Sequence, residues 1–222
     1  GFSAMRFAQG LSLLDRLDRA GFDNVVLGGG EPFTWPHDVV RLAGEAKRRG
    51  FVTQVGTNGI ALPPHFEHAP EIDRYVLPLD ASDAGTHNRL RRYHGDHHGL
   101  ILDRLACLAS AGKSVTVSTV VNAENIGGLP SLGALLAEYV LDGGRLHAWH
   151  LYRFIPSGRE GGRNAARLYV PEDEYLAACD GVKGEELGFT IYRRQDMRHS
   201  RTVDFFWYEG ERLVAGSEVW GE

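Results

Sequence analysis

Short apolar runs alternate with segments of helical period along most of this chain, and that alternation constrains its fold more than any other feature. Five strands are predicted, at residues 24–28, 51–59, 73–80, 114–121 and 146–154. The segments between them carry apolar residues at helical spacing, as at Ile101, Leu105 and Leu108. Helices that separate successive strands produce right-handed βαβ units. The sequence therefore predicts an α/β protein built on a parallel sheet.

The helices predicted from the same patterns cover residues 5–20, Pro36 to Gly50, 97–111 and 129–141. Beyond Phe154 the alternation is less regular. A Gly/Arg-rich loop (156–164), a helix (171–182), a strand (189–194) and a hairpin (202–216) are expected there. The hairpin is expected to turn near Glu209 and Gly210. This last part of the chain reads as a short α+β extension.

Length and composition exclude several classes of protein. A chain of 222 residues suits one domain, and a net charge of −5 argues against a nucleic-acid partner. The sequence has no apolar stretch of about 20 residues, so no membrane is expected. With two cysteines and no recognisable signal peptide, a reducing cytoplasm is the expected location. Only three of the 24 basic residues are lysines, which suggests a GC-rich bacterial genome.

Each predicted strand ends in polar residues or glycines, and ligands of parallel α/β proteins bind at these carboxyl ends. The first strand is followed by Gly-Gly-Gly-Glu-Pro at 28–32. Exposed backbone groups beside a carboxylate there form a pocket for a cationic amine. The Gly-Thr-Asn-Gly at 56–59, taken alone, favours an ordinary turn over a ligand site, because Asn-Gly is common in turns. The strand ends thus predict a ligand site.

Histidines and arginines are concentrated after the third strand. His94 and His98 have metal-ligand spacing, and His87 and His97 lie nearby, but Gly95 favours a solvated loop over a metal site. The run Arg89, Arg91 and Arg92 suits either a carboxylate or phosphate ligand or a merely exposed face. Glu172, Asp173 and Glu174 read as first-turn charges of a helix. These residues leave both structural and functional interpretations open.

The order of these motifs resembles a known family. "LGGGEP", "GTNG", "PLDASDAGTHNRLR", "VTVSTVVNAEN" and "WHLYRF" follow successive strands. Together they resemble the radical S-adenosylmethionine (radical SAM) superfamily, with a core of the viperin or molybdenum-cofactor-cyclase type. The resemblance implies a partial (β/α)6 TIM-type barrel at 1–155 that lacks the first βα unit. Residues 156–222 are then expected to extend the same domain on the substrate side.

The resemblance also implies which residues bind SAM. The Gly-Gly-Glu-Pro turn would receive the methionine end of SAM, and its glutamate would accept the amino group. The expected cofactor-binding residues are Gly29, Gly30, Glu31, Pro32, Asn58, Asp80, Arg92, Ser118 and Tyr152. Pro78 stands where the family often has a small polar residue that contacts the ribose. The chain departs from the family pattern here, and no ribose contact is expected from this position.

Family members hold a 4Fe-4S cluster with three cysteines spaced C-x-x-x-C-x-x-C. The chain contains no such motif, and Cys107 and Cys179 lie too far apart to replace it. No metal site is therefore expected in this chain. The cluster ligands are expected upstream of Gly1, because the first strand read here would otherwise be a bare sheet edge. A cluster-free relative is the alternative.

The resemblance implies an enzyme that cleaves SAM reductively to a 5′-deoxyadenosyl radical, which abstracts hydrogen from a substrate. That substrate would be a nucleotide, a peptide or a small molecule, and flavodoxin or ferredoxin would supply the electron. Arg153, Arg159 and Arg163 suit an anionic substrate or are solvated charges. A cluster-free binding or scaffold protein is one rival. An aldolase- or isomerase-like barrel is another, although no lysine lies at a strand end.

Overall fold

The structure is a computed structural model that describes residues 4–156, 158–195 and 203–216, with the backbone alone at 158–160. Its residues form two compact units. Unit 1 takes its described residues from 4–75 and 203–216, and unit 2 takes them from 76–195. The division falls within the third strand. In the described ranges, no helix has both the length and the apolar character that crossing a membrane requires.

The secondary structure follows the predicted alternation. The strands are β1 Asn24–Leu27, β2 Val52–Gly56, β3 Arg74–Pro78, β4 Ser114–Val121, β5 Arg145–Arg153, β6 Thr190–Arg194, β7 Phe206–Glu209 and β8 Arg212–Ala215. The helices are α1 Phe7–Arg19, α2 Val39–Arg48, α3 Ala84–Arg91, α4 His97–Ser110, α5 Leu129–Leu141, α6 Gly158–Arg163, α7 Ala165–Leu168 and α8 Glu172–Gly184. Short 3₁₀ turns lie at Pro32–Thr34, Phe66–His68 and Ile126–Gly128.

Strands β1 to β6 form one sheet in the order of the chain. The pairs β1–β2, β4–β5 and β5–β6 are parallel, as the predicted βαβ units require. The five predicted strands are confirmed with small shifts of their ends. The strand expected at 189–194 is also confirmed, as β6, and it joins the sheet beside β5.

The core of unit 1 is built from α1, α2 and the residue before β2. Its buried members are Leu14, Leu17, Leu42, Ala46 and Phe51. The predicted hairpin is confirmed as the antiparallel pair β7–β8, whose Phe206 packs on this core. The hairpin is also held by an ion pair of 2.6 Å between Arg6 and Glu211. The hairpin thus belongs to unit 1, while α6 to β6 belong to unit 2.

In unit 2, one face of β4–β6 packs on helices. Trp149 Nε1 donates to Thr119 Oγ1 at 2.8 Å, and a Cβ on Gly133 of α5 would lie 3.4 Å from the Trp149 ring. The Tyr175 hydroxyl of α8 donates to the Leu151 carbonyl at 2.5 Å. Since side chains alternate along a strand, the intervening residues point away from these helices. This second face of β4–β6 carries Ser118, Val120, His150, Tyr152, Tyr192 and Arg194.

Three predictions about local structure are wrong. Helix α2 begins at Val39 rather than at Pro36, because Asp38 caps it by accepting from the Arg41 N–H at 3.0 Å. Helix α3 was missed because its sequence is polar and buries only His87. Part of the expected loop at 156–164 is helical, as α6. In each case tertiary contacts or caps decide where the sequence pattern is weak.

Candidate functional site

Glu31 joins the turn after β1 to the turn after β2 within unit 1. Its Oε1 accepts from the Thr57 hydroxyl at 2.7 Å and from the Phe33 N–H at 3.2 Å. Its Oε2 accepts from the Asn58 N–H at 2.7 Å. A carboxylate offers about four acceptor positions, and these three bonds leave one of them on Oε2. Glu31 is thus oriented by the protein and can still accept a charged donor.

The glycines before Glu31 supply the backbone conformation of this turn. Gly29 and Gly30 have φ values of +84° and +40°, in the left-handed region that favours glycine. A Cβ placed on Gly28, Gly29 or Gly30 would meet no heavy atom within 4 Å. Open space therefore lies beside the backbone here, as a bound ligand would require. Pro32 is buried and starts the 3₁₀ turn that follows.

The turn after β2 is built from its own side chains. Asn58 Oδ1 accepts from the Ile60 N–H at 2.8 Å, which is an Asx turn. Thr57 Oγ1 accepts from the Gly59 N–H at 3.0 Å while its hydroxyl donates to Glu31. The structure thus brings Asn58 to Glu31 as the strand order predicts. Thr57 was not singled out from the sequence, although its place directly after a strand was the available signal.

Asp80 is the centre of a buried network in unit 2. Its Oδ2 lies 2.6 Å from Arg91 Nε, and its Oδ1 accepts from the Val120 N–H at 2.9 Å. Its carbonyl accepts from Asn125 Nδ2 at 2.8 Å. Asp80 is 4% exposed. Its carboxylate therefore ties α3 to the end of β4, and its predicted role toward SAM stays a prediction.

The histidines after β3 do not form the solvated loop that the sequence favoured. His87, His97 and His98 are buried, while His94 is exposed. His87 Nδ1 accepts from the Asp80 N–H at 3.0 Å, and His87 Nε2 lies 2.7 Å from His97 Nδ1. Burial, followed by the charge of Arg91, lowers the pKa of His87 to about 3. His87 is therefore a neutral part of the Asp80 network.

The other predicted SAM residues of unit 2 lie within β4 and β5 and at the end of α3. Arg92 ends α3 with a left-handed φ of +50°, and its Nη2 donates to Asn164 Oδ1 at 3.0 Å. The Ser118 hydroxyl donates to the Leu77 carbonyl at 3.4 Å. The Tyr152 hydroxyl lies 3.1 Å from His150 Nδ1, and burial raises the pKa of Tyr152.

The arginines predicted for an anionic substrate are dispersed. Arg153 forms an ion pair of 3.1 Å with Glu172, the first residue of α8. Arg163 is exposed at the end of α6. The side chain of Arg159 lies outside the described residues. Their role toward a substrate remains a prediction.

The described residues do not fit an iron–sulfur cluster or another multi-ligand metal site. Among them, no group of three or more His, Cys, Asp and Glu is placed to hold a metal ion. Cys107 lies exposed on α4 and Cys179 lies buried in α8. Burial raises the pKa of the Cys179 thiol to about 11. Such a thiol stays protonated near neutral pH, whereas cluster ligands are thiolates.

The chain is similar to known proteins in sequence and in fold. No protein-family model matches the chain. The chain is 25% identical over 168 residues to the AdoMet-dependent heme synthase of Nitratidesulfovibrio vulgaris, a match that covers 73% of the chain and 43% of that relative. It also resembles a radical SAM methyltransferase from Sphaerobacter thermophilus, with a TM-score of 0.53, 21% identity, and coverage of 84% of the chain and 55% of that protein. These similarities agree with the resemblance to the radical SAM superfamily that the sequence motifs predict.

Other solved structures show the same fold. Streptococcus suis SuiB bound to S-adenosylmethionine matches with a TM-score of 0.68 and 14% identity, over 88% of the chain and 43% of SuiB. A domain of the pyruvate-formate lyase-activating enzyme from Bacteroides vulgatus matches with a TM-score of 0.58 and 14% identity, over 77% of the chain and 98% of that domain. The predicted fold class, an α/β partial TIM-type barrel, is confirmed. The chain spans less than half the length of the heme synthase that it matches.

Proposed function

We propose that this chain binds SAM at the Gly-Gly-Glu-Pro turn and is part of a radical SAM enzyme. The observation that carries the proposal is the geometry of Glu31. Three donors fix its carboxylate at 2.7, 2.7 and 3.2 Å, and one acceptor position remains on Oε2. An ammonium group suits that position, because hydrogen bonds between opposite charges are the strong ones. The methionine amino group of SAM is such a donor.

The glycines support the same assignment. Their positive φ values turn the backbone sharply, and the absence of side chains leaves room for a ligand to lie against it. We assign the methionine end of SAM to Gly29, Gly30, Glu31 and Asn58, with Pro32 as the buried end of the turn. Asp80, Arg92, Ser118 and Tyr152 remain the predicted contacts to the rest of SAM. The relative named above depends on AdoMet, and SuiB has been solved with S-adenosylmethionine.

Within the proposed enzyme, SAM and a 4Fe-4S cluster would supply the radical chemistry of hydrogen abstraction. The described residues fit the methionine end of SAM and do not fit the cluster. The role of this chain is therefore to hold and orient SAM and a substrate. The substrate is a nucleotide, a peptide or a small molecule, and a reduced flavodoxin or ferredoxin is the proposed electron donor. A relative in structure, SuiB, has been solved with its precursor peptide SuiA.

Substitution of Glu31 by Gln tests the SAM site. A charge-assisted hydrogen bond is worth about 1.5–3 kcal/mol, so the Gln variant should bind SAM roughly ten- to a hundredfold more weakly. The Gln side chain also carries an NH₂ group, which would face one of the N–H groups from which the Glu31 carboxylate now accepts a hydrogen bond. We therefore expect some loss of stability as well, and the binding titration must be accompanied by an unfolding measurement.

Thr57→Val is the matched control, since it removes one donor to Glu31 and keeps the carboxylate. It should lower stability by a similar amount and leave the affinity for SAM nearly unchanged. Calorimetric titration of SAM into both variants separates ligand binding from turn stability. If the two variants lose equal affinity, Glu31 is a structural residue and the proposed SAM site is wrong. A cluster-free binding protein would retain the Glu31 effect but would not cleave SAM under reducing, anaerobic conditions.

A further inference from the structure

A group of aromatic and cationic side chains lies on the second face of β4–β6, and the proposed SAM site accounts for only one of them, Tyr152. Ser118, His150 and Tyr192 occupy one register level across the three strands. Val120, Tyr152 and Arg194 occupy the next level toward the carboxyl ends. We name His150, Tyr152, Tyr192 and Arg194 the β5–β6 aromatic cluster. All of its residues belong to unit 2.

Direct contacts make this cluster one continuous surface. The rings of His150 and Tyr192 meet edge to face with centroids 5.1 Å apart. The Arg194 guanidinium lies over the Tyr192 ring, 5.0 Å from its centroid. His150 Nδ1 lies 3.1 Å from the Tyr152 hydroxyl. The two tyrosines are thus oriented by the imidazole and the guanidinium.

The exposure of this surface is unusual for its type of sheet. Parallel sheets are normally covered on both faces, and their strands are correspondingly apolar. Here the helix-packed face is fully buried at Trp149 and Leu151, whereas Tyr192 and Val120 on the second face are 41% and 37% exposed. A flat ring presented in this way is suited to stacking against another flat ring.

The charge of this face selects among flat ligands. The residues of β4, β5 and β6 that point to it include the cation Arg194 and no carboxylate. Ser118 and Tyr152 add hydroxyl groups beside the rings. We infer that the β5–β6 aromatic cluster binds a planar conjugated ring that bears an anionic group, and that this is the ring of the substrate. The second half of this inference rests on the proposed radical SAM function, whereas the binding itself does not.

Flavins test this inference because they separate the ring from the charge. Flavin mononucleotide carries a planar ring and a phosphate, and riboflavin carries the same ring without the phosphate. Guanosine monophosphate and guanosine form a second such pair. The full chain should bind the anionic member of at least one pair. Fluorescence or calorimetry measures this binding. Tyr192→Leu should weaken that binding at least about tenfold, in line with the loss of one ring stack.

Matched variants complete the experiment. Arg194→Gln should weaken the phosphorylated member of a pair severalfold more than the uncharged member. Tyr169→Leu replaces another exposed tyrosine of unit 2, at the end of α7. It should leave the affinity for both members of each pair unchanged. The affinity for SAM should be the same in wild type and Tyr192→Leu, which separates this site from the Glu31 site. The inference is overturned if neither pair binds, or if wild type and Tyr192→Leu bind the probe equally.

Discussion

His87 Nε2 and His97 Nδ1 lie 2.7 Å apart in the interior of unit 2, with their rings stacked at 5.0 Å. Because His87 Nδ1 accepts from the Asp80 N–H, the proton of neutral His87 is on Nε2 and is donated to His97. A second proton on either ring, at the nitrogen that now accepts, would break one of the two hydrogen bonds. The pair therefore holds α3, α4 and the end of β3 together only while it is uncharged.

The first prediction is a loss of stability in mild acid. The pKa of His87 is near 3 in the folded chain and about 6.5 when the chain is unfolded. Below pH 6.5 the unfolded state binds a proton that the folded state excludes, so stability falls until the pH approaches 3. Between pH 7 and pH 5 this effect is worth about 2 kcal/mol. Urea unfolding at the two pH values measures it.

His87→Asn is the control for this pH effect. The Asn oxygen can accept from the Asp80 N–H in place of Nδ1, and the Asn side chain itself does not titrate. All carboxylates and the other groups that face His87, namely Arg91, Asp96, His97 and His98, are still present. The variant should lose clearly less stability between pH 7 and pH 5. Equal losses would show that His87 is not the acid-sensitive group.

The second prediction concerns the ion pair of Asp80 and Arg91. Asp80→Asn removes the negative charge from a side chain that is 4% exposed, and Arg91 then lacks its charged partner. Arg91 is partly exposed, so we expect a loss of about 2–3 kcal/mol, below the value for a fully buried pair. The double variant Asp80→Asn/Arg91→Gln should recover part of it. Strictly additive losses in a double-mutant cycle would contradict the pairing.

The sequence predicted best where the local pattern decides the structure. The strand at 114–121 and the helix at 129–141 have the predicted bounds. The first is β-branched almost throughout, and the second has a proline at its start, as helices favour. Parallel strand order was enough to bring Glu31 next to Asn58. These parts of the fold depend on neighbouring residues in sequence, so the chain alone specifies them.

The polar interior could not be predicted in the same way. His87, His97 and His98 read as solvent-exposed because histidine burial depends on partners that come from other segments. The partner of His87 is a backbone N–H of Asp80, which carries no sequence signal. Thr57 was passed over for a different reason, since a threonine in a turn is common and does not by itself indicate a site. Networks that close through backbone groups require the tertiary structure.

The third prediction concerns the turn at the proposed SAM site. Gly29 has a φ of +84° and open space around its Cα. Gly29→Ala should therefore lower the free energy of unfolding only through the penalty of the unfavourable backbone conformation. That penalty is about 1–2 kcal/mol for an L-residue in the left-handed region. Gly28→Ala is the control, since Gly28 has equal space and no positive φ. Chemical denaturation of both variants gives the comparison, and equal stabilities would contradict the turn geometry.

The last prediction uses Arg92, which was assigned to SAM from the sequence and which has an unfavourable backbone conformation in the structure. Its φ of +50° and ψ of +37° are left-handed, at the position after a helix where glycine is favoured. Arg92→Gly and Arg92→Ala both remove the guanidinium and its hydrogen bond to Asn164. Only the Gly variant relieves the strain of the left-handed backbone conformation, so it should be about 1 kcal/mol more stable than the Ala variant.

SAM titration of the same two variants tests the function of Arg92 separately. If the guanidinium contacts SAM, both variants should bind it more weakly, and by equal factors, despite their different stabilities. If stability and affinity change together across the pair, the effect on SAM arises from the fold and not from the guanidinium. Unchanged affinity in both variants would remove Arg92 from the SAM site. An Ala variant at least as stable as the Gly variant would contradict the left-handed conformation itself.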